Sequence, residues 1–94
     1  MVTLFDMIRE RVVSGNYLVT QHATERLDER GILEWQVVDG ISAGELLAER
    51  PHSLPNPSVE VMQYLTDGTP VKAVWALLPA GDVAKLVTVH YFDE

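Results

Sequence analysis

Three side chains in the first third of the chain have the types and the spacing of a phosphate-handling site. His22, Arg26 and Arg30 are each four residues apart, so on a helix they follow one flank with a drift of about 40° per step. Arginine binds phosphate oxygens through paired hydrogen bonds and stays charged at any working pH. Histidine exchanges a proton near neutral pH. This set is suited to cleaving RNA without a metal, with His22 moving the proton and the arginines stabilising the phosphate.

A purely structural interpretation of the same residues stays open. Like charges at positions i and i+4 do not stabilise a helix, so a negative group is expected against Arg26 and Arg30. That group can be an RNA phosphate or a carboxylate of the chain itself. The neighbouring acids are Glu25, Asp28 and Glu29. His22 can equally bond a carbonyl at the start of its helix, and Arg30 can simply stabilise the helix C-terminus.

Two polar residues of the C-terminal half are weaker candidates for the same site. Lys72 can hold a phosphate, and His90 can act as a proton donor. In the structural alternative, His90 shares the face of its strand with Leu86 and is partly buried, and the aliphatic stem of Lys72 lies along a strand edge. The third histidine, His52, lies among prolines and is expected at the surface.

Composition excludes several classes of function. The chain has 94 residues, of which 47% are hydrophobic and 22% charged, and we assign residues 1–94 to a single domain. It contains no cysteine, which excludes thiolate nucleophiles, disulfides and thiolate metal sites. The three histidines lack metal-ligand spacing. We therefore expect neither a metal nor another cofactor.

Net charge opposes a nucleic-acid role. Seven basic and fourteen acidic residues give a charge of −7, and a negative protein is repelled by nucleic acid at long range. RNA binding therefore needs a local basic cluster, and DNA is not expected as a partner. No apolar run approaches the roughly 20 residues of a membrane helix, and the N-terminus lacks the pattern of a signal peptide. We expect a cytoplasmic protein without a membrane partner.

Hydrophobic spacing predicts three helices in the N-terminal half. They cover residues 3–13, residues 21–30, and a stretch from about residue 33 to residue 44. Thr20 is a suitable N-cap for the second helix, and Gly31 is suited to closing it. Trp35 lies on the apolar stripe of the third helix and is expected in the core.

The C-terminal half predicts strands. The candidates are residues 59–65, 71–78 and 83–92, and residues 45–49 are an ambiguous fourth. Residues 50–58 contain three prolines and are expected to form a loop. Short connections favour antiparallel neighbours. The predicted class is α+β, with two or three N-terminal helices packed on one face of a C-terminal antiparallel sheet of three to four strands.

The segment around His22 also resembles the signature of a bacterial family, domain-of-unknown-function family 4258. The motif reads Thr20-x-His22-Ala23-x-x-Arg26-Leu27-x-Glu29-Arg30-Gly31-Ile32, and residues 14–17, 67–71 and 87–89 resemble further family positions in the expected order. Members of this family are similar in plan to the RelE/MqsR-like ribonuclease toxins, in the wider barnase–EndoU–colicin–RelE group. The resemblance spans nearly the whole chain.

The resemblance implies a RelE-like fold with an active site where the His22 helix meets the sheet. It also implies RNA as the substrate and an antitoxin protein as the partner. The chain departs from the family at two positions. Lys72 stands where the family often has histidine, and His90 stands where it often has tyrosine.

Two functions of different classes follow. The first is a metal-independent endoribonuclease of a toxin–antitoxin system. Its catalytic residues would be His22, Arg26, Arg30 and His90, with Lys72 binding substrate. The second is a catalytically inactive protein-binding module on the same scaffold, whose arginines pair across an interface and whose sheet edge accepts a partner strand. Guanidinium groups left unneutralised beside His22 would favour the enzyme, and pairing with the protein's own carboxylates would favour the module.

Overall fold

A helical layer lies against one face of a five-stranded sheet in the computed structural model, which describes residues 2–92. In chain order the elements are α1 (Leu4–Val13), β1 (Tyr17–Val19), α2 (Gln21–Arg30), α3 (Glu34–Gly40), a 3-10 turn (Ile41–Ala43), β2 (Glu45–Arg50), β3 (Ser58–Tyr64), β4 (Pro70–Leu77) and β5 (Ala84–Tyr91). The predicted α+β class and the N-terminal position of the helices are confirmed. Among residues 2–92, no helix combines the length and the apolar character that crossing a membrane requires.

The sheet differs from its prediction in strand number and direction. Its strand order is β1-β5-β4-β3-β2, and all neighbours are antiparallel except β1, which pairs with β5 in parallel. The prediction of three to four antiparallel strands was therefore wrong in both respects. Strand β1 has only three residues, too few for an alternating pattern, and its partner lies at the other end of the chain.

One face of the sheet carries the core. Val61, Ala73 and Leu86 are fully buried there, and Ile8 of α1 and Leu27 of α2 belong to the same cluster. The opposite face, here called the open face, lies away from the helices. Pairing register assigns to it, among others, Glu45, Ala48, Arg50, Ser58, Glu60, Met62, Lys72, Val74, Ala76, Lys85, Thr88 and His90.

A β-bulge in β5 changes which residues reach the open face. Trp75 pairs with Leu86, but its neighbour Val74 pairs with Thr88, so Val87 is an extra residue. An extra residue shifts the alternation of side chains by one. The expectation that His90 shares a face with Leu86 was therefore wrong, because the bulge places His90 on the open face.

Helix α2 is fastened to β5 at both of its ends. Thr20 caps the helix by accepting a hydrogen bond from the Ala23 N–H at 3.0 Å, as predicted. The same hydroxyl donates to the bulge carbonyl of Val87 at 3.3 Å. At the other end, the Tyr91 hydroxyl donates to the Arg30 carbonyl at 2.9 Å. Gly31, at φ 67°, closes the helix in a left-handed conformation that glycine adopts without strain.

The two tryptophans have opposite environments. Trp75 is fully buried in β4, whereas Trp35 is 52% exposed. The prediction for Trp35 was wrong because the buried face of the third helical segment runs through Val37 and Ile41. Helix α3 is also shorter than predicted, with the last residues forming the 3-10 turn.

A buried glutamine joins this helical layer to the sheet. The Trp75 indole N–H donates to Gln63 Oε1 at 2.9 Å, and Gln63 Nε2 donates to the Val37 carbonyl at 2.7 Å. Gln63 is 1% exposed. Water does not reach these buried groups. The Gln63 side chain therefore supplies the hydrogen bonds without which the buried Trp75 N–H and Val37 carbonyl would destabilise the fold.

Replacing Gln63 with leucine is expected to lower the free energy of unfolding by about 2–4 kcal/mol, because the Trp75 N–H and the Val37 carbonyl lose their partner. Urea unfolding measures the change. Gln36→Leu is the matched control, since Gln36 bonds Thr66 at the surface, and a change below about 0.5 kcal/mol is expected there. Equal losses in the two variants would contradict the role assigned to Gln63.

Candidate functional site

Helix α2 presents the first group of predicted site residues. Ala23 and Leu27 are buried and fix the orientation of the helix against the core. His22 lies in the first turn and is exposed. Arg26 and Arg30 follow on the same flank, with 33% and 17% of their side chains exposed. The predicted alignment of the three residues on one helix is therefore present.

One carboxylate engages both arginines of this group. Glu29 Oε2 accepts from Arg26 Nη1 in a short contact and lies 3.4 Å from Arg30 Nη1. Of the two alternatives left open for the negative group beside these arginines, the structure shows a carboxylate of the chain itself. The α2 arginines belong to an intramolecular ion-pair network, the condition set above for favouring the binding module.

The sheet separates the remaining candidates from α2. Lys72 and His90 are directly opposite each other on β4 and β5, on the open face. Helix α2 packs against the other face, where Ala23 and Leu27 join the core. The structure therefore brings Lys72 and His90 together but does not unite them with His22, Arg26 and Arg30. The third histidine, His52, is exposed in the proline-containing loop, as predicted.

Two residues that sequence analysis did not select complete a cluster around Lys72. Glu60 Oε1 lies 3.5 Å from Lys72 Nζ. Its other oxygen accepts from Arg50 Nε at 2.8 Å and lies 2.7 Å from Arg50 Nη2. We call Arg50, Glu60, Lys72 and His90 the open-face cluster. Register alone brings these residues of four adjacent strands together, so no local sequence signal could have identified Arg50 and Glu60.

Electrostatics keep Glu60 ionised. The hydrogen bond from Arg50 lowers the pKa of the Glu60 carboxyl below its usual value, and the charge of Lys72 lowers it further, whereas burial acts in the opposite direction. At neutral pH the cluster therefore contains a carboxylate between two cations, with an imidazole beside one of them.

The open face concentrates basic residues in an acidic protein. Both lysines of the chain, Lys72 and Lys85, lie on it together with Arg50. The strand positions on this face carry two acids, Glu45 and Glu60. Bases therefore outnumber acids here, although acids are twice as numerous as bases in the whole chain. RNA binding by an acidic chain would require a local excess of bases of this kind.

The cluster contains the groups that acid–base catalysis on a phosphodiester needs. A carboxylate can accept a proton, an imidazolium can donate one, and fixed cations can stabilise charge that develops on phosphoryl oxygens. No three His, Asp or Glu side chains within residues 2–92 come together in a way that could hold a metal ion.

The lowered pKa of Glu60 predicts a pH-dependent contribution to stability. A folded-state pKa below the unfolded value stabilises the protein above the ordinary glutamate pKa of about 4.5, and this contribution is lost as the pH falls through the folded value. The difference in urea midpoint between wild type and Glu60→Gln should thus be larger at pH 7 than at pH 3. Glu45→Gln is the control, because Glu45 forms no ion pair within residues 2–92. A difference that does not change with pH would contradict the assigned role of the ion pairs.

Comparison with known proteins gives one result. No curated protein and no solved structure matches this chain significantly. A family model described as "Domain of unknown function (DUF4258)" matches residues 19–91, a span that contains α2 and the whole open-face cluster. Because the match covers well over half of the chain, and in agreement with the resemblance of the Thr20–Ile32 motif, the protein belongs to the DUF4258 family.

Proposed function

We propose that this protein is a metal-independent endoribonuclease of a toxin–antitoxin system, with the open-face cluster as its catalytic site. One observation carries the proposal: Glu60 and His90 lie on either side of Lys72 on the base-rich face of the sheet. The likeness of plan between DUF4258 members and RelE/MqsR-like ribonuclease toxins supplies the substrate class. The same likeness supplies an antitoxin protein as the partner.

In the proposed reaction the Glu60 carboxylate accepts the proton of a ribose 2′-hydroxyl, and the 2′-oxygen attacks the adjacent phosphorus. The bond from phosphorus to the 5′-oxygen breaks, and the His90 imidazolium protonates that leaving oxygen. The products are a 2′,3′-cyclic phosphate and a free 5′-hydroxyl. Lys72 stabilises the charge that develops on the phosphoryl oxygens.

Arg50 has a second role in this scheme. A guanidinium has five N–H donors, and two of its nitrogens are directed at Glu60. The remaining donors can bind a phosphate oxygen while Arg50 continues to hold the carboxylate in place. With 57% of its side chain exposed, Arg50 is accessible to an RNA strand that crosses the face.

The pairing of Arg26 and Arg30 with Glu29 argues against placing the catalytic site on α2. A phosphate at α2 would have to compete with Glu29 for both guanidinium groups, whereas on the open face Glu60 occupies Arg50 and Lys72 but Lys85 forms no ion pair within residues 2–92. We assign α2 a supporting role instead, since Thr20 and Arg30 hold β5, the strand that carries His90.

The same pairing favours the second candidate, a binding module without catalysis. In that case the open face and the outer edge of β2 serve only as contact surfaces. Leu46 and Leu47 on β2 are 42% and 45% exposed, so this edge strand presents apolar side chains to a partner. The module would bind RNA or an antitoxin-like protein but would not cleave RNA.

Cleavage of a single-stranded RNA by the purified protein distinguishes these possibilities. His90→Ala and Glu60→Gln should each lower the rate by about 100-fold or more, because each removes one proton-transfer group. The rate of the wild-type protein should be unchanged by a metal chelator, since lysine and arginine supply the positive charge.

Histidine controls locate the site. His22→Ala and His52→Ala should both retain the wild-type rate, because neither residue lies in the open-face cluster. If His22→Ala abolished cleavage and His90→Ala kept full activity, the catalytic site would lie on α2 and not on the open face. Absence of cleavage by the wild-type protein on all RNAs tested would overturn the enzyme and leave the binding module.

RNA affinity should also depend on salt through the open-face cations. Three phosphate contacts, from Arg50, Lys72 and Lys85, predict a slope of log affinity against log salt of about −2 for a single strand. The double variant Lys72→Gln/Lys85→Gln should reduce the slope to about −0.7. Fluorescence anisotropy with the His90→Ala protein as background prevents cleavage during the measurement.

Arg26→Gln is the control for this measurement, because Arg26 belongs to the α2 group on the other side of the sheet. It should leave the slope unchanged. A slope that falls in Arg26→Gln and stays constant in the lysine double variant would place the phosphate contacts on α2 and contradict their assignment to the open face.

A further inference from the structure

A cavity adjoins the open face at the end remote from His90. It has a volume of about 140 Å³ and lies between the loop of residues 51–57, here called the proline loop, and strands β4 and β5. Its lining includes Leu54, Asn56, Val74, Ala76, Lys85 and Val87. The bulge residue Val87 thus contributes to this cavity as well as fixing the face of His90.

The proline loop is held in place by hydrogen bonds. The Leu77 N–H donates to the Pro57 carbonyl at 2.9 Å, which ties the end of the loop to β4. The Ser53 hydroxyl donates to the Asn56 carbonyl at 2.6 Å and lies 2.9 Å from the Ser58 hydroxyl. Asn56 and Ser58 are 8% and 9% exposed. The cavity is therefore formed before any ligand binds, which reduces the entropic cost of binding.

The lining combines apolar walls with a polar rim. Val74, Ala76 and Val87 provide an apolar floor, and Leu54, which is 92% exposed, stands at the outer edge. When the Asn56 amide is oriented with its oxygen towards Lys85, that oxygen accepts from Lys85 Nζ at 3.1 Å and the amide nitrogen donates to the Pro55 carbonyl at 3.2 Å. A cavity with apolar surfaces and a few converging polar groups suits a flat ring that has polar atoms on its edge.

Size and position limit what this ring can be. The volume corresponds to roughly five water molecules, so the cavity admits one heterocycle and not an entire nucleotide. Lys85 precedes His90 by five residues along β5, a distance of about 15 Å in an extended strand. A strand of RNA whose reacting phosphate lies at His90 therefore reaches the cavity with a nucleotide further along the strand.

We propose that this cavity binds a nucleobase of a single-stranded RNA lying across the open face, with Lys85 on the phosphate of that nucleotide. The inference rests on the proposed function for the class of ligand and extends it by naming a base-binding subsite. Contact of the ring with the apolar floor supplies affinity, and the Asn56 amide oxygen, which keeps a second lone pair beside Lys85, accepts from an N–H on the edge of the ring.

Titration with small probes tests the subsite separately from catalysis. The four nucleoside 5′-monophosphates and ribose 5-phosphate are added to the isotopically labelled protein, and the backbone amide signals are followed by NMR. The nucleotides should shift the signals of Leu54, Ala76 and Val87, whereas ribose 5-phosphate, which lacks the base, should shift signals near the lysines only. Equal shifts from both classes of probe, or no shift at the cavity, would overturn the proposal.

Two different substitutions in the cavity test the same subsite, so the result does not depend on a single variant. Ala76→Val fills part of the floor and should weaken nucleotide binding about tenfold or more while leaving ribose 5-phosphate binding unchanged. Leu54→Ala, at the exposed rim, should weaken it by a smaller factor without any effect on folding. Leu33→Ala, an equally simple change at an exposed leucine that precedes α3, is the matched control and should have no effect. Unchanged nucleotide binding in both cavity variants would overturn the subsite.

The two proposals fail in distinguishable ways. RNA cleavage that depends on His90, together with equal responses to nucleotides and ribose 5-phosphate, would remove the subsite and keep the enzyme. Base-dependent shifts at the cavity in a protein that cleaves no RNA would keep the subsite and leave a nucleotide-binding module.

Discussion

Helices cover only one face of this sheet, so each strand residue points either into the core or towards the open face. In β5 the extra residue Val87 reverses this alternation halfway along the strand. Before the bulge, Leu86 joins the core; beyond it, Thr88 and His90 face away from the helices. The open-face cluster depends on this shift, because without it His90 would point into the helical layer. Helix α2 stabilises the bulge directly, since Thr20 donates to the Val87 carbonyl. The motif residues of α2 therefore have a structural explanation even where their side chains do not reach the cluster.

Support for the cluster comes from behind the sheet as well. The hydrogen-bonded chain from Trp75 through Gln63 to the Val37 carbonyl connects β4, β3 and α3 within the core. Strands β3 and β4 carry Glu60 and Lys72 on their other face. Successive residues of a strand point to opposite faces of the sheet. The packing of the buried residues on one face therefore fixes the position of the side chains between them on the other face. The ion pairs of Glu60 are thus held by a rigid backbone, which a preorganised site requires.

Local signals predicted the local parts of this structure. The limits of α2 follow from Thr20 and Gly31, two residues whose conformations are determined within one helical turn. Long-range features were missed, because the parallel pairing of β1, the bulge at Val87 and the ion pairs of Glu60 depend on residues distant in sequence. Trp35 shows a third kind of error: apolar spacing indicated a helix correctly, but tertiary packing selected Val37 rather than Trp35 as its buried side. Of the candidate residues, Lys72 and His90 come together, and their partners Arg50 and Glu60 could be found only once the register was known.

Total charge is a poor guide to the ligands of such a protein. A charge of −7 repels RNA at long range, but at physiological ionic strength exposed charges are screened beyond about 8 Å. An RNA strand on the open face is therefore affected mainly by the charges of that face, where bases outnumber acids. Because Arg50 and Lys72 share Glu60, part of this positive charge is already neutralised, and the carboxylate that neutralises it is also the proposed proton acceptor. Under the proposed function, Glu60 thus both limits the attraction for RNA and accepts the proton, whereas a module that functions only by binding would gain from the loss of Glu60.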